Sequence, residues 1–177
     1  MHAPATDHLA ALIKDVPDFP KPGILYKDFT PLLADPGALA LAVELMANPF
    51  RGRNIHLVLG AESRGFIFGI AIAQALSAGF VPVRKPGKLP RDVHSVDYAL
   101  EYGTDRLEIH TDAAKAGQRV LMVDDLLATG GTMEAACELV TKTGAEIVGM
   151  TVLIELAFLN ARDKLSQFGE VNSVLKY

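Results

Sequence analysis

One stretch of the chain constrains its fold more than any other, because an apolar run, two acids and a turn of small residues follow one another in it. Val120–Val123 is short and continuously apolar, which is typical of a strand buried on both faces of a parallel sheet. Asp124 and Asp125 come where that strand should end, and the small residues 128–132 lead into a helix predicted over residues 133–143. In an open α/β sheet, ligands bind at the carboxyl ends of the strands, so this order predicts a ligand site.

The turn that follows the acids predicts phosphate binding. We call it the phosphate turn, and its residues are Ala128, Thr129, Gly130, Gly131 and Thr132. A tight glycine turn exposes backbone N–H groups, and the start of a helix adds the positive end of its dipole. A bare Thr-Gly-Gly-Thr would indicate only a strand-to-helix turn, but the strand, acids and helix around it favour a binding site. The two acids suit either the hydroxyls of a ribose or a bridging cation.

Helical and apolar patterns alternate through the rest of the chain, which predicts an open, mostly parallel sheet flanked by helices with right-handed crossovers. The predicted helices cover residues 7–14, 36–48 and 66–78, and the predicted core strands cover residues 55–59, 80–84 and 147–154. Residues 16–31 hold four prolines, so they predict an ordered loop or a pair of short extended pieces. Residues 158–168 are expected to mix helix and loop.

The length predicts a single domain over residues 1–177. We expect a core at about residues 35–154. Over one end of it we expect a small hood, formed by residues 1–34 together with residues 155–177. A flexible β-hairpin arm is expected at about residues 91–111, because apolar and polar residues alternate on both sides of Gly103.

Composition excludes several other classes of protein. The formal net charge of −4 argues against a nucleic-acid binder. The single cysteine, Cys137, excludes an internal disulfide and predicts a buried structural thiol. Residues 1–12 lack the pattern of a secretory leader, and the apolar residues 147–159 are too few to span a membrane. We therefore expect a cytoplasmic protein, with no zinc site because the five histidines lack metal spacing.

Taken together, the apolar strand, Asp-Asp and Ala-Thr-Gly-Gly-Thr resemble the phosphoribosyl-diphosphate (PRPP) binding signature of the type I phosphoribosyltransferases. No Gly-Lys-Ser/Thr follows the turn, so it differs from the nucleoside-triphosphate P-loop. The adenine-specific members of that family are similar over nearly the whole chain, from about Phe19 to Leu165. The similar segments are Phe19–Phe29, Tyr98–Gly103, Leu126-Leu127 and Ile154-Glu155-Leu156. Lys27 stands where arginine is common, and residues 94–97 follow no family pattern.

This resemblance implies purine salvage, in which adenine and PRPP give AMP and pyrophosphate through an oxocarbenium-like transition state. It also implies a homodimer and a Mg²⁺ cofactor that PRPP brings near Asp124 and Asp125. Glu101 and Arg64 are the implied catalytic residues. The implied adenine site is formed by Leu25, Tyr26, Lys27 and Leu156. The implied PRPP and AMP ligands are Ser63, Arg84, Lys85, Lys88, Asp124, Asp125 and the phosphate turn, residues 128–132.

Two parts of the implied site have a plain alternative. In the family, the loop at Glu62–Ser63 holds pyrophosphate and often contains a cis peptide, but Arg64 alone is equally consistent with a surface arginine at a helix start. Arg84, Lys85, Lys88 and Arg91, here called the basic cluster, suit a diphosphate as a group. Individually they are equally consistent with a solvated loop.

Two other functions are weighed against adenine transfer. An oxopurine phosphoribosyltransferase commonly places a lysine near the last core strand, whereas this chain has Ile154-Glu155-Leu156 there. A PRPP-sensing transcription regulator needs a DNA-binding module, for which neither the length nor the acidic charge leaves room. We therefore expect an adenine-specific enzyme.

Overall fold

The computed structural model describes residues 3–99 and 103–177, and helices lie between most of its core strands, as the sequence predicts. The α-helices are α1 (Ala3–Ala11), α2 (Thr30–Ala34), α3 (Pro36–Ala47), α4 (Gly65–Ala75), α5 (Gly131–Thr143) and α6 (Ala161–Leu165). The strands are β1 (Lys14–Pro17), β2 (Leu25–Asp28), β3 (Leu57–Ala61), β4 (Gly79–Val83), β5 (Val93–Ala99), β6 (Thr104–His110), β7 (Arg119–Leu127), β8 (Glu146–Glu155) and β9 (Val171–Lys176).

A five-stranded parallel sheet forms the centre of the molecule, in the order β4-β3-β7-β8-β9. Leu57 of β3 pairs with Val120 of β7, and Met150 of β8 pairs with Val171 of β9. Helix α4 joins β3 to β4, and α5 joins β7 to β8. The predicted α/β class with a mostly parallel sheet is confirmed.

The apolar run of β7 explains why the sheet is covered on both faces. Leu121 and Val123 belong to a buried cluster with residues of α1, α3 and α4, whereas Val120 and Met122 belong to a second cluster with residues of α5 and the hairpin β5–β6. Successive side chains of a strand point to opposite faces, so four apolar residues in a row require two apolar layers.

Local signals place two further elements correctly. Asp35 caps α3 by accepting a hydrogen bond from the N–H of Ala38 at 2.8 Å, and Pro36 takes the first helical position. The proline-rich segment forms β1 and β2, which pair antiparallel with Val16 opposite Tyr26. The hairpin is also confirmed, because β5 and β6 pair antiparallel on the two sides of Gly103.

The structure corrects the sequence analysis at three boundaries. Strand β9, within the predicted hood, is the edge strand of the central sheet, because its backbone pairs with β8. Strand β7 continues past Asp124 and Asp125 to Leu127, because β8 offers pairing partners as far as Glu155. The first helix lies at Ala3–Ala11 and ends before Lys14, where β1 begins.

Within residues 3–99 and 103–177, none of the helices has the length and apolar character needed to cross a bilayer.

Candidate active site

A cavity of about 250 Å³ opens at the carboxyl ends of β3 and β7. Residues 62–64, which follow β3, form one wall. Residues 124–133, which run from the end of β7 through the phosphate turn, form the rest. The structure therefore brings together the two loops that the sequence analysis expected to share one crevice.

The phosphate turn has the backbone geometry that its glycines allow. Gly130 has a φ of 85°, in the left-handed region that favours glycine, and it is the N-cap of α5. The first hydrogen bond of that helix runs from the Glu134 N–H to the Gly130 carbonyl, at 2.8 Å. A Cβ on Gly130 would lie 3.1 Å from the Ala161 Cβ, so the turn is also tightly packed from behind. The N–H groups at the start of α5 have no partner within the helix and border the cavity, which suits an anion.

Two adjacent carboxylates lie beside that turn, and their environments differ. Asp124 Oδ1 accepts a hydrogen bond from the Asp125 N–H at 2.9 Å. Burial, together with the negative charge of Asp125, raises the pKa of Asp124 well above its usual range. Asp125 is only 4 % exposed, and its Oδ2 accepts no hydrogen bond among the described residues. A buried acceptor without a donor is costly, so this oxygen is suited to a group brought by a ligand.

Gly65 allows the β3 loop to approach these acids. A Cβ at this position would lie 2.8 Å from Asp124 Oδ1, closer than real Cβ contacts allow. A side chain here would push the carboxylate away from the loop. The glycine therefore sets the width of the cavity between its two walls.

Arg64 reaches across the cavity mouth toward the acids. Its Nε lies 3.0 Å from Asp125 Oδ2 as an ion pair, although the geometry does not make a hydrogen bond. The same guanidinium contacts the Tyr26 hydroxyl and lies 5.8 Å from the Phe29 ring centroid. Its side chain is 42 % exposed, so it is available to an anion in the cavity.

Glu62, which the sequence analysis did not include in the site, lines the cavity and pairs with the side chains of two residues of the basic cluster. Arg84 Nε donates to its Oε2 at 2.8 Å, and Lys88 Nζ donates to its Oε1 at 2.5 Å. Burial opposes ionisation, but the hydrogen bonds from Lys88 and Arg84 outweigh it and lower the pKa of Glu62 to about 2. The Glu62–Ser63 peptide is cis, as expected.

The basic cluster therefore contacts carboxylates of the chain itself. Lys85 Nζ donates to Asp105 Oδ2 of the arm at 2.5 Å, and Arg91 pairs with the exposed Asp112. As far as the described residues go, none of the four basic side chains lines the cavity. Their binding of a diphosphate remains a prediction.

The predicted adenine residues lie on the hood side of the cavity. Tyr26 reaches Arg64 through its hydroxyl, and Leu25 is half exposed. Leu156 packs against the edge of the core cluster. Lys27 is buried, with its Nζ 2.6 Å from Asp15 Oδ1. Among these four, Tyr26 is linked to the cavity wall through Arg64, and Leu156 is linked to it through the bond from its N–H to the Leu127 carbonyl at 2.9 Å.

Glu155 is a buried acid that sequence reasoning treated only as part of a strand end. Arg162 of α6 holds both its oxygens, from Nε at 2.7 Å and from Nη2 at 2.6 Å, and the Ser173 hydroxyl adds a bond at 2.5 Å. The bonds from Arg162 lower the pKa of Glu155, against the effect of burial, and Ser173 lowers it further. A lone acid at the end of an apolar strand was the available signal.

The arm approaches the phosphate turn from the other side. A Cβ on Gly131 would lie 3.5 Å from both the Ala99 carbonyl oxygen and the Tyr98 ring, and the Tyr98 hydroxyl donates to Asp105 at 3.2 Å. Glu101, the implied catalytic acid, lies outside the described residues.

Other titratable residues form no metal centre of their own. Within the described ranges, no three histidine, cysteine, aspartate or glutamate side chains cluster so as to hold a metal ion. Cys137 is buried, and burial raises the pKa of its thiol to about 12, which fits a structural residue.

Comparison with known proteins gives a consistent result. Residues 30–173 match the phosphoribosyl transferase domain family. The adenine phosphoribosyltransferase of Rhodopirellula baltica is 59 % identical over 165 residues, which cover 93 % of this chain and 80 % of that protein. The crystal structure of adenine phosphoribosyltransferase from Rhodothermus marinus superposes with a TM-score of 0.94 at 50 % identity, covering 99 % of each chain.

A third relative was crystallised with ligands. Adenine phosphoribosyltransferase from Saccharomyces cerevisiae, complexed with adenine and D-2,5-dideoxy-2,5-imino-altritol 1,6-bisphosphate, superposes with a TM-score of 0.91. It is 39 % identical, and the match covers 97 % of this chain and 99 % of that one.

Proposed function

The chain belongs to the phosphoribosyltransferase family, in its adenine-specific branch, and we propose how its residues transfer the 5-phosphoribosyl group of PRPP to adenine. The products are AMP and pyrophosphate, as in purine salvage. The observation that supports the proposal most is the single cavity that joins a phosphate turn to two adjacent acids, of which Asp125 is buried. Positive charge develops on the sugar during the transfer, while negative charge leaves with the diphosphate. The cavity is lined by acids, Asp124 and Asp125, and by a base, Arg64.

The phosphate turn anchors the 5′-phosphate in this proposal. Backbone N–H groups at the start of α5 donate to its oxygens, and the helix dipole favours its charge. A fixed phosphate holds the ribose in one orientation, which lowers the entropic part of the barrier. Thr129 and Thr132 add hydroxyl donors beside the backbone groups.

The two acids hold the ribose hydroxyls. Asp125 Oδ2 is buried and lacks a hydrogen-bond donor within the described chain, so a hydroxyl proton satisfies it. Asp124 has a raised pKa, and a nearby positive charge favours its ionised form. As the bond from C1 to the diphosphate breaks, positive charge develops on the sugar. The acids therefore interact more strongly with the transition state than with the bound substrate.

Arg64 stabilises the departing diphosphate. Its guanidinium already lies at the cavity, 3.0 Å from Asp125, and two of its N–H groups match a pair of phosphate oxygens. Ser63 borders the same cavity and offers a hydroxyl. Arg84, Lys85 and Lys88 add positive charge from behind Glu62 and Asp105, and they exchange carboxylate contacts for phosphate contacts when the diphosphate binds.

The acids also fit the magnesium that the resemblance implies. Carboxylate oxygens are preferred Mg²⁺ ligands, and Asp125 Oδ2 is a buried oxygen without a donor in the described chain. Two acids leave most of the coordination shell to the substrate and water, which suits an ion that arrives on PRPP. When bound, Mg²⁺ supplies positive charge that stabilises the diphosphate as it leaves.

Adenine lies between the hood and the end of β8. Leu25, Tyr26 and Leu156 supply apolar walls, and backbone groups near Leu25 and Lys27 contact the exocyclic amine. Glu101 acts at the imidazole edge of the base as an acid/base or hydrogen-bonding group. The arm excludes water from the breaking bond when it covers the phosphate turn, which Ala99 and Tyr98 already approach.

One assay tests the proposed reaction. The protein is incubated with PRPP and each purine base separately, with and without MgCl₂, and the nucleotide formed is identified. We expect AMP from adenine, dependent on magnesium, and neither IMP nor GMP at a comparable rate. Turnover of guanine or hypoxanthine without adenine would contradict the proposal. PRPP binding without pyrophosphate release on addition of adenine would indicate a sensor.

We propose a homodimer in the cytoplasm as the working form. Ile67 and Ile70 lie one turn apart on α4 and are 42 % and 49 % exposed, so they offer an apolar surface to a second copy. Light scattering tests the dimer: we expect twice the chain mass, and the mass of one chain for the Ile70→Glu variant. A fully active wild-type monomer would overturn this part, and cell fractionation tests the location.

A further inference from the structure

Tyr177 lies next to β9 and is fixed through its main chain to the end of β8. Its N–H donates to the Glu155 carbonyl at 2.9 Å, and its carbonyl accepts from the Ala157 N–H at 2.8 Å. These two bonds bracket Leu156, whose own N–H donates to the Leu127 carbonyl at 2.9 Å. The backbone on both sides of Leu156 is therefore held by Tyr177.

The side chain of the same tyrosine reaches the hood. Its ring lies beneath the Lys27 ammonium, with 4.0 Å from Nζ to the ring centroid. Lys27 is only 9 % exposed and also binds Asp15 at 2.6 Å. A cation–π contact is stronger when the cation is withdrawn from water, and here both the ring and the carboxylate hold it.

Tyr177 thus connects the two sides of the proposed adenine site. Its main chain holds the segment that carries Leu156, and its ring holds the strand that carries Leu25 and Tyr26, through Lys27. The two acids lie on the neighbouring strand β7, and the phosphate turn follows that strand. As far as the structure describes the chain, neither Tyr177 nor Lys27 lines their cavity.

We infer that Tyr177 is a positioning residue that sets the distance between Leu156 and strand β2, and thereby the affinity for the purine base. The inference rests on the proposed function. Loss of the ring frees Lys27 and lets β2 shift relative to Leu156. The base then binds less tightly, whereas the phosphate turn still holds PRPP.

Steady-state kinetics of matched variants test this. For Tyr177→Ala we expect the KM for adenine to rise about fivefold or more, with the KM for PRPP within about twofold of wild type. Tyr177→Phe keeps the ring face and should retain a KM for adenine close to wild type. Tyr177→Leu keeps apolar volume but has no aromatic ring, so its KM for adenine should rise as in the alanine variant. If Tyr177→Ala does not fold, Tyr177→Leu serves as the test in its place.

A second measurement separates positioning from general destabilisation. Lys27→Met alone should raise the KM for adenine, and combining it with Tyr177→Ala should add little, because both remove the same contact. Equal rises in both KM values, a loss of active enzyme without a change in the KM for adenine, or full additivity of the two substitutions would overturn the inference.

The outcome also separates this inference from the proposed function. Wild-type protein that forms no AMP would overturn both. Wild-type protein that forms AMP, with an unchanged KM for adenine in Tyr177→Ala and Tyr177→Leu, would overturn the inference alone.

Discussion

Buried carboxylates occupy the ends of three neighbouring strands, and they differ in how their oxygens are satisfied. Glu62, after β3, is held by Arg84 and Lys88, and Glu155, at the end of β8, is held by Arg162 and Ser173. On β7, between them, Asp125 has an oxygen without a hydrogen-bond donor in the described chain.

The pKa values of acids on these strands differ as well. Bonds from basic side chains lower the pKa of Glu62 and Glu155, despite burial, whereas burial and a second negative charge raise the pKa of Asp124. Satisfied acids stabilise the fold, and unsatisfied acids cost stability in the absence of a ligand. The comparison therefore separates two acids that basic side chains hold from the pair on β7 that we propose to act on the ligand.

We expect the largest effect from Asp125→Asn. Unchanged activity in this variant would contradict the comparison between the three strands. Loss of the charge next to the developing sugar cation should lower kcat/KM about 100-fold or more. The melting temperature should not fall, because no basic partner loses a good hydrogen bond. Measured kinetics with PRPP and adenine check this, with Glu146→Gln as the control. Glu146 lies at the opposite end of β8 and is 56 % exposed in its side chain.

Glu155→Gln should have the opposite effect to Asp125→Asn. We expect the free energy of unfolding to fall and kcat/KM to stay close to wild type. The variant leaves Arg162 without its carboxylate, which we expect to cost about 2–3 kcal/mol. For a chain of this length that lowers the melting temperature by roughly 4–12 °C. Calorimetry measures it, and Glu146→Gln should change the free energy of unfolding by less than about 0.5 kcal/mol. An activity loss as large as that of Asp125→Asn would contradict the division.

Asp124→Asn should stabilise the ligand-free protein at neutral pH. The folded-state pKa of Asp124 is raised, so its contribution to stability falls as pH rises from near 3.8 through that higher pKa. The neutral variant removes this cost, which we expect to be about 1 kcal/mol. Melting curves at pH 4 and pH 8 should show the gain over wild type growing with pH. A lower melting temperature at pH 8 would show that Asp124 is structural.

We expect the smallest effect in the free energy of unfolding at acidic pH. Glu62 has a folded-state pKa of about 2 against an ordinary 4.5, so its stabilisation is complete above 4.5 and is lost as pH falls toward 2. Glu62→Gln should therefore lose less stability than wild type between pH 5 and pH 3. Parallel denaturation at both pH values checks this, and identical slopes would mean that Arg84 and Lys88 do not stabilise the ionised form.

Local patterns in the sequence predicted the elements that local physics determines. Val120–Val123 is apolar because both faces of its strand are buried, and Asp35-Pro36 starts a helix by capping. The phosphate turn depends on Gly130, whose conformation few other residues adopt. The cavity between residues 62–64 and 124–133 followed from the rule that parallel strands end at one edge.

Contacts between residues that are distant in the sequence could not be predicted from local patterns. Strand β9 was missed because its pattern is short and weak, and its stability comes from pairing with β8. The hydrogen bond from Lys88 to Glu62 was not predicted, because the distance between two loops decides which charged side chains meet. The contact of Tyr177 with Lys27 likewise joins residues at opposite ends of the sequence.

The pairing of the sheet has a consequence for biosynthesis. Leu57 pairs with Val120, and Met150 pairs with Val171, so in each pair the second strand is translated after the first. Chains are made from the amino terminus, and distant pairings form late because closing the loop is entropically costly. The proposed phosphate turn is therefore translated before Leu156 and strand β9, so we expect the proposed base side of the site to be completed last.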